Sequence, residues 1–342
     1  MLSDAVVRTE EWRRLTGTLL GILAVAGAYY ATGRVGLLLR VPVEDAQVTP
    51  LWLPTGIAVA ALLWMGLRVW PGIALGTYLS IAGISGFQPS GIGIVVGNTL
   101  APVCAYLLLR RVGFRSEMDR LRDGLALVFL GGLLPMLISS SVGTGVLVAT
   151  GDLPPSEFWP VWSAWWAGDA MGVLVVTPLL LVLPRVRMPQ DPYRAAEAAT
   201  LMVAVGVVTL AATRSSLSVL FLVFPLLIWS AVRFQLPGSA PCVLIVSVLS
   251  IVAATDRAGP FADHTLFEIM VNLQALNGSA ALTGLLLSAL VTEQDNIRLR
   301  IEQVCEDLAE VVDRLAPGKP ADGPRGGAGD GAGGRPGDGV EG

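Results

Sequence analysis

The sequence predicts an all-α polytopic membrane protein, and three observations predict it. Of 342 residues, 53% are hydrophobic and only 15% are charged, where soluble domains carry about a quarter charged. Apolar runs near membrane-spanning length recur from residue 15 to residue 291, far more than one tail anchor would need. Arginine concentrates in alternate loops between those runs.

Ten apolar segments can be drawn, at 15–33, 52–67, 70–86, 91–109, 123–149, 162–183, 196–213, 217–232, 239–254 and 266–291. Several are short for a hydrocarbon core that takes about 20 helical residues. Segments 52–67 and 70–86 are separated by little more than Arg68 and Val69. They read as a tight hairpin or as a broken, re-entrant element. The same ambiguity covers 196–213 and 217–232. A bundle of about ten helices is expected, with eight as the alternative. Arg8, Arg13 and Arg14 precede the first run, and no cleavage site ends it. That run reads as a first span, not a signal peptide.

Loop charge sets the expected orientation. With the N-terminus inside, the inner loops carry fifteen basic residues and the outer loops carry four, Arg34, Arg40, Arg214 and Arg257. Such a bias obeys the positive-inside rule and puts both termini in the cytoplasm, in a multi-pass inner-membrane protein. The outer loops VPVEDAQVTP, GDLPPSEFWP and TDRAGPFADHTLF are acidic and proline-bearing. Trp52, Trp159 and Trp162 fall near outer helix ends, where tryptophan anchors.

Four regions are expected: a cytoplasmic N-terminus at 1–14, a membrane domain at 15–291, a cytoplasmic helix at 292–316 and a tail at 317–342. In the third, Ile297, Ile301, Val304, Leu308, Val311 and Leu315 alternate in steps of four and three. That is an a/d seam, which predicts a homodimer through residues 290–315 or an amphipathic helix packed elsewhere. The tail is nearly all Gly, Ala, Pro, Asp and Arg and is expected to be disordered.

Cys104, Cys242 and Cys305 show no CxxC spacing, and the single histidine, His264, sits in a polar loop. Neither a disulfide framework, a metal site nor a cofactor is suggested. A nucleic-acid partner is not expected either; the lipid bilayer is.

The candidate site is drawn from polar residues inside apolar runs. Asp169 lies in VWSAWWAGDAMGVLVVTPLLLVLP. A carboxylate at mid-bilayer costs roughly 2.5 kcal/mol or more and usually faces a bundle interior or cavity. It reads as a functional site or as an interhelical hydrogen bond. Asn98, Thr55 and Trp166 are candidates to converge on it, around a cationic or hydroxylated ligand. Asn272, Gln274 and Asn277 put three amides into the last segment, of which at least one should face inward. Pro54 and Gly56 read as a helix start or as a break that frees carbonyls toward a cavity. Pro71 reads as a first-turn residue. Gly97 and Gly168 read as close-packing positions, like the stripe Ser139, Ser140, Ser141, Gly143, Thr144 and Gly145.

LWLPTGIAVAALLWMGLRVWPGIALG, GNTLAPVCAYLLLRRVGF, DRLRD and WSAWWAGDAMGVLVVTPLLL, in that order and spacing, resemble the bacterial membrane-associated sensor domain of the first MASE class. The resemblance runs from about residue 12 to 292. It implies an integral sensory module that feeds cytoplasmic outputs such as histidine kinases, diguanylate cyclases or PAS domains, with no fixed ligand. Neither a phosphoacceptor histidine on a cytoplasmic helix nor a GGDEF-like signature occurs in this sequence. The expectation is therefore a non-enzymatic, stand-alone sensor that relays to a separate cytoplasmic signalling protein. A small-molecule permease is the alternative, because interrupted short segments suit it too. Reporter fusions test the orientation. Those after Arg115 and after residue 300 should read cytoplasmic and one near residue 155 external; a cytoplasmic signal at 155 would refute the topology.

Overall fold

The computed structural model describes residues 2–38, 41–43, 46–86, 88–186, 190–215, 219–262 and 265–315. His264 and the tail lie outside the described residues. In chain order come helix α1 (Leu2–Leu38), a short antiparallel pair β1 (Val41–Val43) and β2 (Ala46–Val48), then α2 (Leu53–Met65), α3 (Trp70–Ser85) and α4 (Pro89–Arg111). Helix α5 (Leu121–Ala126) runs through a π-helical stretch, Leu127–Leu133, into α6 (Met136–Thr150). Then follow α7 (Phe158–Val182), α8 (Pro192–Arg214), α9 (Val223–Thr255) and α10 (Leu266–Leu315). Contacts divide the chain into Met1–Asp295 and Asn296–Gly342.

Eight helices among the described residues are long and apolar enough to cross a membrane. Two features reconcile that number with ten apolar segments. Helix α2 has 13 residues, roughly 20 Å at 1.5 Å per residue, too short for a full crossing. Gly66, at φ +76°, and the 3-10 turn Leu67–Val69 then turn the chain back into α3, with Pro71 in its first turn. The reversal is visible against α1. Gly21 lies beside Met65 and Val69, and Gly33 beside Pro54 and Ser80.

Helix α9 breaks at Gln235, whose φ is 53° and ψ −147°. Arg233 pairs with Glu197 near the start of α8 at 3.0 Å, while Asp256 pairs with Arg214 at the end of α8 at 3.7 Å. Residues 220–222, only a short loop beyond Arg214, also touch α8. A straight α9 could not satisfy all three, so its halves are antiparallel. Segments 217–232 and 239–254 are therefore two legs of one hairpin.

Exposed Leu19, Leu23, Ile92, Val96, Leu107, Phe129, Val203, Val207, Ile228 and Val232 form the apolar outside that a bilayer requires. Helix α7 is the centre. Its apolar window is 72% buried, against 22% for α1 and α8. Glycine makes that burial possible. Gly168 packs on the carbonyl of Thr49, Gly172 on the carbonyl of Trp52, and Gly56 of α2 on the carbonyl of Gly172. Thr177 Oγ1 donates to the Gly56 carbonyl at 3.0 Å across the same crossing. This is small-residue packing of the kind that holds membrane helices together. Gly97 likewise lets α4 approach Val142 and Ser139 of α6. Gly172→Ala would drive a Cβ into the Trp52 carbonyl, whereas Gly145 has nothing within 4 Å. Gly172→Ala should destabilise the purified protein by about 1–3 kcal/mol, the range for overpacking, read as a lower melting temperature in detergent. Gly145→Ala should leave it unchanged.

Candidate functional site

Asp169 is the twelfth residue of α7, roughly 16 Å along it at 1.5 Å per residue, and is 1% exposed. Its surroundings follow from how the chain enters α2. Residues 49–52 are not helical and descend against the glycine face of α7. Backbone groups in a membrane interior need partners within the protein. Trp52 N donates to the Gly168 carbonyl at 3.0 Å, and Gln274 Nε2 of α10 donates to the Pro50 carbonyl at 2.9 Å. Helix α2 therefore starts deep in the bundle, with Pro54 in its first turn, and presents its N-terminal turn to Asp169. Thr55 Oγ1 donates to Asp169 Oδ1 at 2.6 Å. The positive end of the α2 dipole adds to that attraction.

The other carboxylate oxygen is met from α6. Ser139 Oγ donates to Asp169 Oδ2 at 2.6 Å. The π-helical stretch brings Ser139 into place. Gly131, Gly132 and Pro135 sit where the ladder widens, and Leu134 N reaches back to the Phe129 carbonyl at 3.0 Å. Past it, Leu137 N and Ile138 N turn back to the Leu134 and Pro135 carbonyls. That leaves the Leu133 carbonyl for Trp166 Nε1, which donates to it at 2.8 Å. Among the described residues no cationic side chain pairs with Asp169.

Above the carboxylate lies a cavity of about 240 Å³. Asp169 and Asn98 supply its polar floor; Trp52, Trp165, Ile81 and Ile94 are among its walls. Leu37, Ile84 and Val161 place its mouth at the bundle end where α1 and α3 finish and α7 begins. Asn98 is 8% exposed and its Oδ1 has no partner; Trp52 Nε1 is likewise buried and unpaired. Tyr29, fully buried on α1, has Thr77, Trp52 and Asn98 as polar neighbours.

The structure thus brings together Asp169, Thr55 and Asn98, with Gly168 and Gly56 at the crossing that seats them. It does not bring in Trp166, which turns away to the Leu133 carbonyl and stacks on Trp162. Trp165 takes the wall position instead. Asn272 is exposed on α10, away from the cavity. Asn277 is fully buried, but both its amide atoms lack partners and it does not line the cavity. Ser139, Tyr29 and Trp165 are the residues that sequence reasoning missed as site members. Ser139 carried a signal, since a hydroxyl in a small-residue stripe is a natural donor to a carboxylate on a neighbouring helix.

Residues 21–295 match the MASE1 family. The chain belongs to that family. MASE1 is a membrane sensory domain, and the match includes every residue named above as building the site. The chain is 30% identical over 226 residues to the probable diguanylate cyclase DgcE of Escherichia coli strain K12. The alignment covers 63% of this chain and 19% of that protein, so the chain spans about a fifth of that relative's length. No solved structure matches. The shared part is the sensory bundle, which makes this chain an integral membrane protein of the signalling class.

Proposed function

We propose that this MASE1 bundle is a signal-input module of the bacterial inner membrane, with both termini cytoplasmic. A ligand enters the Asp169 cavity from the outer face, and the last helix relays its arrival to a separate cytoplasmic signalling protein. One observation carries the reading: a fully buried carboxylate, with no cationic partner among the described residues, faces a cavity. Intramembrane carboxylates without a functional role are rare.

The relay has a physical link. The leg that walls the cavity through Thr49 and Trp52 is hydrogen-bonded to α10 by Gln274. Farther along α10, Glu293 Oε2 accepts from Leu121 N at 2.9 Å, and Asp295 Oδ2 accepts from Gln235 Nε2 at 2.8 Å. A ligand that favours one position of the leg over another biases α10 by its difference in affinity for the two. Beyond Asp295, Ile297, Ile301, Val304, Leu308 and Val311 are all exposed. In this reading they are the contact face of a parallel homodimer, with Cys305 flanking it. The permease alternative shares the interrupted α2 but assigns no role to that face.

Crosslinking through Cys305 in membranes reads the relay. Wild-type chains should crosslink, and Ile301→Asp with Leu308→Asp should abolish it. Asp169→Asn should stay folded and inserted yet change the crosslinking yield, because it keeps the hydrogen-bonding shape and removes the charge. An Asp169→Asn protein with wild-type stability and wild-type crosslinking would defeat the sensory role of Asp169.

A further inference from the structure

We propose that the cavity takes a small organic ammonium, an amine with one positive head and a compact apolar body. The proposal rests on the reading of this cavity as the sensory site and names its ligand class. Charge comes first. Asp169 has two hydroxyl donors, Thr55 and Ser139, and no cationic partner among the described residues. Among the described residues no lysine or arginine lines the cavity, so a bound anion would meet a carboxylate with none of them to offset it. A monocation supplies the counter-charge that the described residues do not.

Hydrogen-bonding capacity points the same way. Asn98 Oδ1 is an acceptor on the cavity floor, more than nine-tenths buried and without a partner. An unmade hydrogen bond at such a group costs about 1–3 kcal/mol. An ammonium carries three donors, enough to reach both Asp169 and Asn98. Trp52 Nε1 is the remaining unpaired polar atom of the lining among the described residues, and it asks for one acceptor on the ligand body.

Shape completes the class. The walls are aliphatic and indole, and Trp52 and Trp165 can face a cation as well as an apolar body. A volume of about 240 Å³ equals that of about eight liquid waters, which suits a ligand of roughly ten non-hydrogen atoms. Such an ammonium can arrive free from the outer aqueous phase or as the amine headgroup of a lipid.

The test uses the full chain in amine-free, non-ionic detergent, with phenethylamine as the probe. The isosteric anion 3-phenylpropionate and the neutral 2-phenylethanol are the comparisons. Melting temperature and tryptophan fluorescence are the readouts. Phenethylamine should raise the melting temperature with concentration and perturb the tryptophans, and the anion should do neither. Asp169→Asn should weaken the amine at least about tenfold, the loss expected for a buried charged hydrogen bond. If Asp169→Asn does not fold, Asn98→Leu and Trp165→Leu carry the same expectation of weakened binding. Vesicles of phosphatidylethanolamine should be compared with phosphatidylglycerol. Stabilisation by the former that phenethylamine does not add to supports the ammonium site and assigns it to a lipid headgroup. Equal binding of amine and alcohol, or no binding of the amine in detergent or vesicles, overturns the ammonium class. If Asp169→Asn still changes Cys305 crosslinking in that case, the sensory reading survives the failure. Amine binding without any change in crosslinking supports the ammonium site and sinks the sensory reading instead.

Discussion

A carboxylate halfway along the most buried helix of a membrane bundle must be answered by polar groups brought to it, because hydrocarbon offers none. The rest of the architecture around α7 can be read from that requirement. Thr55 and Ser139 reach Asp169 from opposite sides, at 2.6 Å each. For Thr55 to arrive, α2 has to start inside the bundle, which leaves residues 49–52 as non-helical backbone that needs partners there. Gly168 and Gly172 admit that backbone, and Trp52 N and the Pro50 carbonyl find partners on α7 and α10. Ser139 arrives on the α5–α6 rod just past its π-helical stretch, where the Leu133 carbonyl left free at the junction is taken by Trp166. Removing the carboxylate would leave this set of breaks without a purpose.

The same arrangement ties the site to α10. The leg that approaches Asp169 is the segment that α10 holds through Gln274. In the proposed relay, a ligand that enters the cavity and a displacement of α10 act on one short piece of chain. Hydrogen bonds from Leu121 N and Gln235 Nε2 to Glu293 and Asp295 hold α10 to the bundle farther along.

Much of this was legible in the sequence, and what was not has physical reasons. Asp169, Thr55 and Asn98 stand out because a polar residue inside an apolar run has few reasons to be there. The cavity takes Trp165 and not its neighbour Trp166, because adjacent helical residues differ by about 100° in direction and sequence does not fix a helix's rotation in a fully apolar setting. The amides of the last segment split for the same reason, with Asn272 exposed and Asn277 buried. Asn277 shares a helix face with Ala281, Gly284 and Ser288 by its spacing of four, seven and eleven. The ambiguity over 52–67 and 70–86 reflects a real feature, a 13-residue α2 that turns back at Gly66. The second reversal lies one segment later than the sequence reading puts it. Helix α8 is a separate helix, and the chain turns at Gln235, between 217–232 and 239–254, with no proline or glycine immediately before it to mark it. Tyr29 gave no signal at all, because an aromatic in a spanning run is ordinary.

The claim on which everything else stands is that Thr55 at the start of α2 holds Asp169. A double-mutant cycle measures it directly, with Thr55→Val, Asp169→Asn and the pair, scored by unfolding of the purified protein in detergent. The structure predicts a coupling energy of about 1–2 kcal/mol between the two positions, as a buried bond to a carboxylate should give. Additive effects, with coupling below about 0.3 kcal/mol, would contradict it.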